Sequence, residues 1–594
     1  MKQKFLLYFA LLALPSCESI WDEKINGDYD EKYVWNMSQM AEGVLYNAYK
    51  AIPNRPDSYD GNFLDAATDN ALTRVYSSSV YNVTSGKLSK NNNPFDNWSN
   101  CYQQLQYINS FLEKGLTDQI KYDKRDEEKD AEYKQRLEGE AYFLRAFWGF
   151  RLLQQFGGKT STGIALGYPL VMHFVTEEEA KNLSNFKRDT YQDCAKQIMD
   201  DCDKAIELLP EKYTGDDAIT GAKEIGRPTK MTVAALKSRV ALYKASPAFQ
   251  DDNVVRLNGM GDFTVVDEDK YKAQWAEAAK IADDAIRMNG FGDVYALKAT
   301  DLVGGNANST PTEFLYRFFY QNNDMEKRHF PPYYLGGAQT IPSQNLVDAF
   351  PAKNGFPIND PRANHDKKNP YANRDNRLEL NIYYHGKGFG NAAGWRPLDM
   401  SEGGIDSYSY DAFCSRSGYY LAKYMGKNQL MLDPINTGSP VHYYPVIRKT
   451  EVFLNFAEAA NEAWGPRSQG PDNSSKFTAY QIIKAIRNKS GGIQNTTYLD
   501  EMAADKDKFR ELIQNERRLE LAFENHRYYD LRRCLLPLNE PIKGVTVIKE
   551  GEETKYEYNV IEERKFDHIR YYYLPLPYSE CLKNPDFINN LGWE

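Results

Sequence analysis

Residues 136–158 read RLEGEAYFLRAFWGFRLLQQFGG, and their spacing decides the class of fold. Within the longer run Ala131 to Gln155, Leu137, Ala141, Leu144, Trp148 and Leu152 recur at steps of three and four, one face of an α-helix. Phe143, Phe147 and Phe150 form a second stripe. A helix that is apolar on two faces is covered on both, so this one belongs inside a stack of helices. Gly157-Gly158 ends it.

The same period recurs on either side. Toward the N-terminus it marks helices at Met37 to Ala51, stopped by Pro53, and at Phe95 to Leu112. Trp98, Tyr102 and Leu105 share a stripe in the second, which places Trp98 in the core. Toward the C-terminus, helices read at Thr190 to Leu209, Thr229 to Ala245 and Tyr271 to Met288, closed by Pro210, Pro247 and Asn289-Gly290. They resume at Ile447 to Trp464, Thr478 to Asn488 and Lys506 to Glu524. Helix pairs repeating every ~35–45 residues predict a mainly α fold with a tetratricopeptide-like body.

Two stretches break the pattern. Residues 54–94 show little helix or strand period, and residues 291–445 are rich in Gly, Asn, Pro and aromatics, with one short helix near Ser343 to Ala349. Irregular loop and short-strand insertions of this length are usually functional. The chain thus divides into residues 1–16, 17–35, 36–290, 291–445 and 446–594. The tail, YYYLPLPYSECLKNPDFINNLGW (Tyr571 to Trp593), is extended and apolar and is expected to pack across the helices.

The start is an export signal: Lys2 and Lys4, an apolar run from Phe5 to Leu14, and Ser16 before Cys17. Ten helical residues span roughly 15 Å, too short to cross a bilayer. The layout resembles the lipobox of bacterial lipoproteins, which implies cleavage before Cys17, acylation of that cysteine, and residues 17–35 as a tether. Loss of residues 1–16 removes two lysines and moves the formal charge from −10 to −12. So acidic a chain repels phosphate backbones, and no nucleic acid is expected as a partner. The six remaining cysteines are too sparse for a disulfide scaffold and read mainly as buried thiols.

Several segments resemble one family. RLEGEAYFLRAFWGFRLLQQFGG, RPTKMTVAALKSRVALYKASP, RKTEVFLNFAEAANEAWG, IRNKSGG, IQNERRLELAFENHRYYDLRR and LPLPYSECLKNPDFINNLGW, together with the lipobox, look like the SusD/RagB family of outer-membrane nutrient-binding lipoproteins of Bacteroidetes. The likeness covers nearly the whole chain and fades at residues 54–94 and 291–445. It implies a body of four tetratricopeptide-like pairs, surface attachment through Cys17, and a SusC-type TonB-dependent transporter as partner. It also implies capture of oligosaccharide or polysaccharide, or of peptide as in RagB-like relatives, with no catalysis and no cofactor.

Glycan binding requires flat aromatic faces for the C–H patches of sugar rings, and amides, carboxylates or guanidinium groups for the hydroxyls. Three places offer both. The first is Asp69, Asn70, Arg74 and Tyr76, with Tyr81 beyond. The second is Phe319 and Tyr320, with Tyr333 and Tyr334. The third is Arg374 with Trp395-Arg396. Asp69, Arg74, Tyr76 and Trp395 lead, and for each the competing role is loop packing. Glu516, Glu520 and Glu524 stand at i, i+4 and i+8 among arginines. That reads as an Arg–Glu network docking a helix rather than a metal or acid–base site. The seven histidines are scattered without HExxH, and neither GxSxG nor a P-loop is present, so no enzyme and no metal site are expected. Two carboxylates suffice for glycoside hydrolysis, which stays as the remote alternative.

Overall fold

The computed structural model describes residues 31–182, 185–251, 268–304, 310–388, 396–426, 432–435 and 437–594. Cys17, the expected signal and Trp395 lie outside the described residues.

The body is a row of helices. α1 (Ser38–Lys50) leads through α2 (Ser79–Thr84) to α3 (Trp98–Lys114) and α4 (Glu127–Phe156). α4 starts at an Asp126 cap whose carboxylate accepts from the backbone N–H groups of Glu128 and Lys129. Its two apolar stripes are both buried, as their spacing requires. One side meets α1 and α3, and Trp148 Nε1 donates to the Ala48 carbonyl at 3.2 Å. The other side meets α5 (Tyr191–Leu208). Each fully buried Phe or Leu on such a face contributes about 1.5–3 kcal/mol. Trp98 is in the core, against Tyr102, Phe156 and Phe587.

α6 (Lys230–Ala245), with a Thr229 capping box, and α7 (Glu268–Arg287) extend the row. α8 (Gln344–Ala349) lies in the irregular region. α9 (Lys449–Trp464) then packs directly on α7, so residues 288–448 loop out and the row continues. α10 (Ala479–Lys489), α11 (Lys506–Glu520) and α12 (Arg527–Arg533) complete it.

The glutamates of α11 enter the expected network. Glu516 pairs with Arg487 and Arg377 at 2.6 and 2.7 Å. Glu520 pairs with Arg377 and Arg448 at 3.3 and 3.2 Å. Glu524, just beyond the helix, pairs with Arg448 and Lys423 at 2.8 and 2.7 Å. All of these side chains are buried. The helix ends at Glu520 rather than Glu524, because Phe523 and Asn525 take left-handed φ values of 59° and 63°.

The tail crosses the body as expected. Tyr573 donates to the Ala248 carbonyl, and the Asn590 amide donates to Phe156 and Leu574 carbonyls. A Cβ at Gly158 would meet Tyr573 at 2.6 Å, so the glycine just after the α4 cap admits the tail. All six cysteines among the described residues are free, four of them buried.

Two readings of the sequence need correction. Residues 54–94 are more ordered than their lack of period suggested. They hold a 3₁₀ turn at Leu64–Ala67, β1 (Ala71–Thr73) and α2. β1 is too short to show a period and finds its partner far downstream. The C-terminal region also contains a hairpin, β5 (Ile542–Glu550) with β6 (Glu553–Glu562), where helices and a tail were read. Its turn, Gly551-Glu552, has Gly551 at φ 64°. Among the other ribbons, one pairs β2 (Phe314–Gln321) with β4 (Val441–Arg448) and one pairs β1 with β3 (Thr340–Pro342).

Candidate functional site

The β1–β3 ribbon brings two distant segments side by side. Ala71 opposes Pro342 and Thr73 opposes Thr340. The Arg74 N–H continues the pairing to the Gln339 carbonyl at 2.9 Å. The chain leaving β1 through Arg74, Tyr76 and Tyr81 is thereby set beside the loop that carries Tyr333 and Tyr334. Arg74 fixes the junction: its Nε donates to the Gly337 carbonyl at 2.7 Å, and its guanidinium stands 4.9 Å from the Phe413 ring.

The patch that results is aromatic, arginine-rich and open. Tyr76 is 52% exposed and meets Tyr81 edge-on at 4.8 Å. Arg416 lies 5.2 Å from the Tyr76 ring and is held by Glu562. Tyr333, 51% exposed, stands perpendicular to the buried Tyr334 at 5.1 Å. Arg396 covers one face of Tyr333 at 4.2 Å. The buried Asp406 fixes that guanidinium through two bonds of 2.6 and 2.9 Å, which together raise the arginine pKa further. Phe413, 61% exposed, and the exposed Tyr408 and Tyr410 extend the surface. Each arginine thus steadies a ring against one face and leaves other ring surface open.

Of the residues read from sequence, the structure brings together Arg74, Tyr76, Tyr81, Tyr333 and Tyr334. Phe319 and Tyr320 sit elsewhere on β2. Phe319 is exposed beside Arg317, while Tyr320 stacks on His442 at 5.0 Å with Arg55 over it at 4.7 Å. Asp69 and Asn70 face inward. The Asp69 carboxylate is gripped by Arg527 through two 2.9 Å bonds and by Arg518 at 3.0 Å. Burial pushes that carboxyl up, but the two guanidinium groups outweigh it and hold it well below the usual range. Asn70 is fully buried between Asp65 and Arg518. Both residues anchor the loop rather than face outward. Arg374 is also buried and donates to the carbonyls of Pro370, Val347 and Phe350.

Tyr408, Tyr410, Phe413 and Arg416 were not singled out from sequence. The signal was there in GIDSYSYDAFCSR, where rings alternate with turn-forming residues and match neither a helix nor a buried strand. Away from the patch, an apolar groove of about 430 Å³ runs between α3 and the tail, past Trp98, Tyr102 and Phe587. No helix among the described residues is long and apolar enough to cross a membrane.

Comparisons with known proteins agree over most of the chain. Residues 300–593 match the model of the SusD family, and residues 22–242 match a family described as starch-binding, associating with outer membrane. The SusD-like protein P2 of Formosa agariphila is 32% identical over 158 residues, 26% of this chain and 26% of the relative. SusD-like protein P25 of the same organism is 32% identical over 142 residues, 24% and 22% of the two chains. The matched stretches thus span about a quarter of the length of these curated relatives. Among solved structures, a SusD-like protein from Bacteroides fragilis superposes with TM-score 0.69 at 23% identity, over 95% of this chain and 98% of the other. A SusD-like carbohydrate-binding protein from the same species gives TM-score 0.68 at 23% identity, over 93% and 99%. These superpositions establish a shared fold.

Proposed function

This chain belongs to the SusD/RagB family, and from that premise we propose that it is a carbohydrate-capture protein of the outer-membrane surface. The observation that carries this reading is the patch of half-exposed rings with arginines held against them. An oligosaccharide presents flat C–H faces edged by hydroxyls. Tyr76, Tyr333 and Phe413 offer flat surfaces for the first, and the phenol and guanidinium groups between them offer partners for the second. An open surface of this kind buries little area, so affinity per site is modest.

The patch is built to hold rather than to cut. The acids that touch its arginines, Asp406 and Glu562, are engaged in ion pairs: Asp406 with Arg396, Glu562 with Arg416 and Arg564. Carboxylates committed to guanidinium groups in this way support holding over proton transfer. The proposal extends to the cell. Acylated Cys17 tethers the body through residues 17–35, and bound carbohydrate passes to a SusC-type TonB-dependent transporter.

The test is a binding panel with product analysis on the same samples: plant, microbial and host glycans beside mixed peptides. Intact glycan, retained by the wild type and lost with Tyr76→Ala or Phe413→Ala, is the expected result. Shortened glycan would replace capture with hydrolysis. Retention of peptide alone would replace the substrate class and leave the fold untouched.

A further inference from the structure

A second surface carries the same chemistry in a more enclosed form. Two clefts, of about 810 and 600 Å³, lie side by side and share Tyr371, Arg374 and Tyr556 as a common wall. None of their lining residues belongs to the patch at Tyr76 and Tyr333.

The hairpin absent from the sequence reading supplies one side. Tyr556 and Tyr558 are two apart on β6, so both side chains leave the same face of the strand. They oppose Val547 and Val545, which are buried, and so that face is the inner one. Tyr558 nevertheless stays 45% exposed at the larger cleft. Tyr371 stacks on Tyr384 at 4.1 Å with planes 19° apart, and Tyr556 meets it edge-on at 5.7 Å. Two rings already locked in a stack, a third set across them and a fourth left open form a rigid platform.

The wall between the clefts holds an unsatisfied donor. Arg374 is 6% exposed, and its terminal nitrogens are taken by three main-chain carbonyls. Its Nε has no hydrogen-bond partner among the described residues. That nitrogen is enclosed by protein, so Arg374 serves as a fixed, charged wall between the clefts rather than as a donor to what enters them. The remaining lining mixes apolar side chains such as Val347, Ile358 and Leu378 with polar ones and is close to balanced in charge. Asp348, Asp360, Asp375 and Glu379 face Lys353, Lys367 and Arg374, and Asp360 and Asp375 are already paired with Arg362 and Arg377. Burial, aided at His365 by Arg374, holds both His365 and His385 below their usual pKa, so both are neutral at neutral pH.

Rings, amides and balanced charge suit a neutral polyol better than an ion. We propose that the paired cleft around Tyr371, Arg374 and Tyr556 is a second, independent binding site for neutral oligosaccharide. This inference rests on the carbohydrate reading of the protein but not on the patch that supports it.

The experiment is calorimetric titration of the full chain with five neutral hexasaccharides: maltohexaose, cellohexaose, xylohexaose, mannohexaose and laminarihexaose. Wild type, Tyr76→Ala/Phe413→Ala in the patch, Tyr371→Ala/Tyr556→Ala in the cleft, and Tyr558→Ser are compared. Tyr558 is half exposed, so its variant keeps a fold if the double cleft variant does not. The expected result is two sites in the wild type. One disappears with the patch variant, and the other weakens by roughly 10-fold with either cleft variant. A single site removed by the patch variant and indifferent to both cleft variants overturns the inference and leaves the proposed function standing. A single site that responds only to the cleft variants upholds the inference and removes the patch from the proposed function. No binding by the wild type to any hexasaccharide overturns both.

Discussion

Arginine works in two opposite ways in this molecule. Inside, Arg377, Arg448, Arg487, Arg517 and Arg533 are buried and bound to carboxylates on α9, α11 and the segments around them. At the surface, Arg74, Arg396 and Arg416 lie against aromatic rings that remain half open to solvent. The interior set fixes where loops are. The surface set fixes which ring faces are presented. Asp69 links the two, since its clamp by Arg518 and Arg527 ties the loop before Arg74 to α11 and α12. The difference teaches that charge here is structural and that recognition falls to the rings.

The most severe break is Arg448→Met. Arg448 touches three buried carboxylates, those of Glu313, Glu520 and Glu524. Its loss leaves three buried carboxylates with reduced compensation, and about 3–5 kcal/mol of stability should go. Urea denaturation reads this directly. A loss below about 1 kcal/mol would mean that the interior arginines are no more structural than the surface ones.

Acid should attack the interior and spare the surface. Burial alone would raise the Glu524 carboxyl, but Arg448 and Lys423 together pull it down from 4.5 to about 2. A carboxyl depressed in the folded state stabilises above its unfolded pKa and ceases to do so as pH falls through the folded one. Stability should therefore fall between pH 4.5 and 2, with Glu524 accounting for on the order of 3 kcal/mol. Asp530, held down by Arg517 and Arg533 against its burial, acts in the same direction. Glu524→Gln should flatten the fall in Tm over that interval, and an unchanged acid limb would sink the assignment.

Asp69→Asn separates anchoring from contact. It removes the charge from a clamp of two guanidinium groups, and about 1–3 kcal/mol should be lost. If Asp69 anchors the loop, Tm falls and affinity falls with it. Reduced affinity at an unchanged Tm would instead make Asp69 a ligand contact and move recognition onto charge.

The helical row was legible because burial on a helix leaves a period. α4 shows it on two faces, and Gly157-Gly158 marks its end. The Arg–Glu network was legible for the same reason, its glutamates four residues apart along α11 and the turn that follows it. The site was harder. Asp69 and Asn70 have the composition of a ligand loop, and only partners more than 440 residues later turn them inward. Tyr408, Tyr410 and Phe413 are exposed, and an exposed ring leaves no stripe. The hairpin did leave one, in the alternation of Val545 with Val547 and of Tyr556 with Tyr558 about Gly551-Glu552.

The smallest effect on stability is the sharpest test of the contrast. Tyr76 meets Tyr81 edge-on and Arg416 across one face, yet half of it faces solvent. Removing a half-exposed ring outside the core should change stability by no more than about 0.5 kcal/mol. The Arg416–Glu562 pair survives without it, so the scaffold has no reason to move. Binding is a different matter, because an open site draws its affinity from few rings, and the loss of one should weaken carbohydrate by roughly 10-fold. Tyr76→Phe divides that loss. If the ring face does the binding, the phenylalanine variant retains most of the affinity. If the hydroxyl does, it falls as far as alanine, and recognition at the patch rests on hydrogen bonding rather than on aromatic surface.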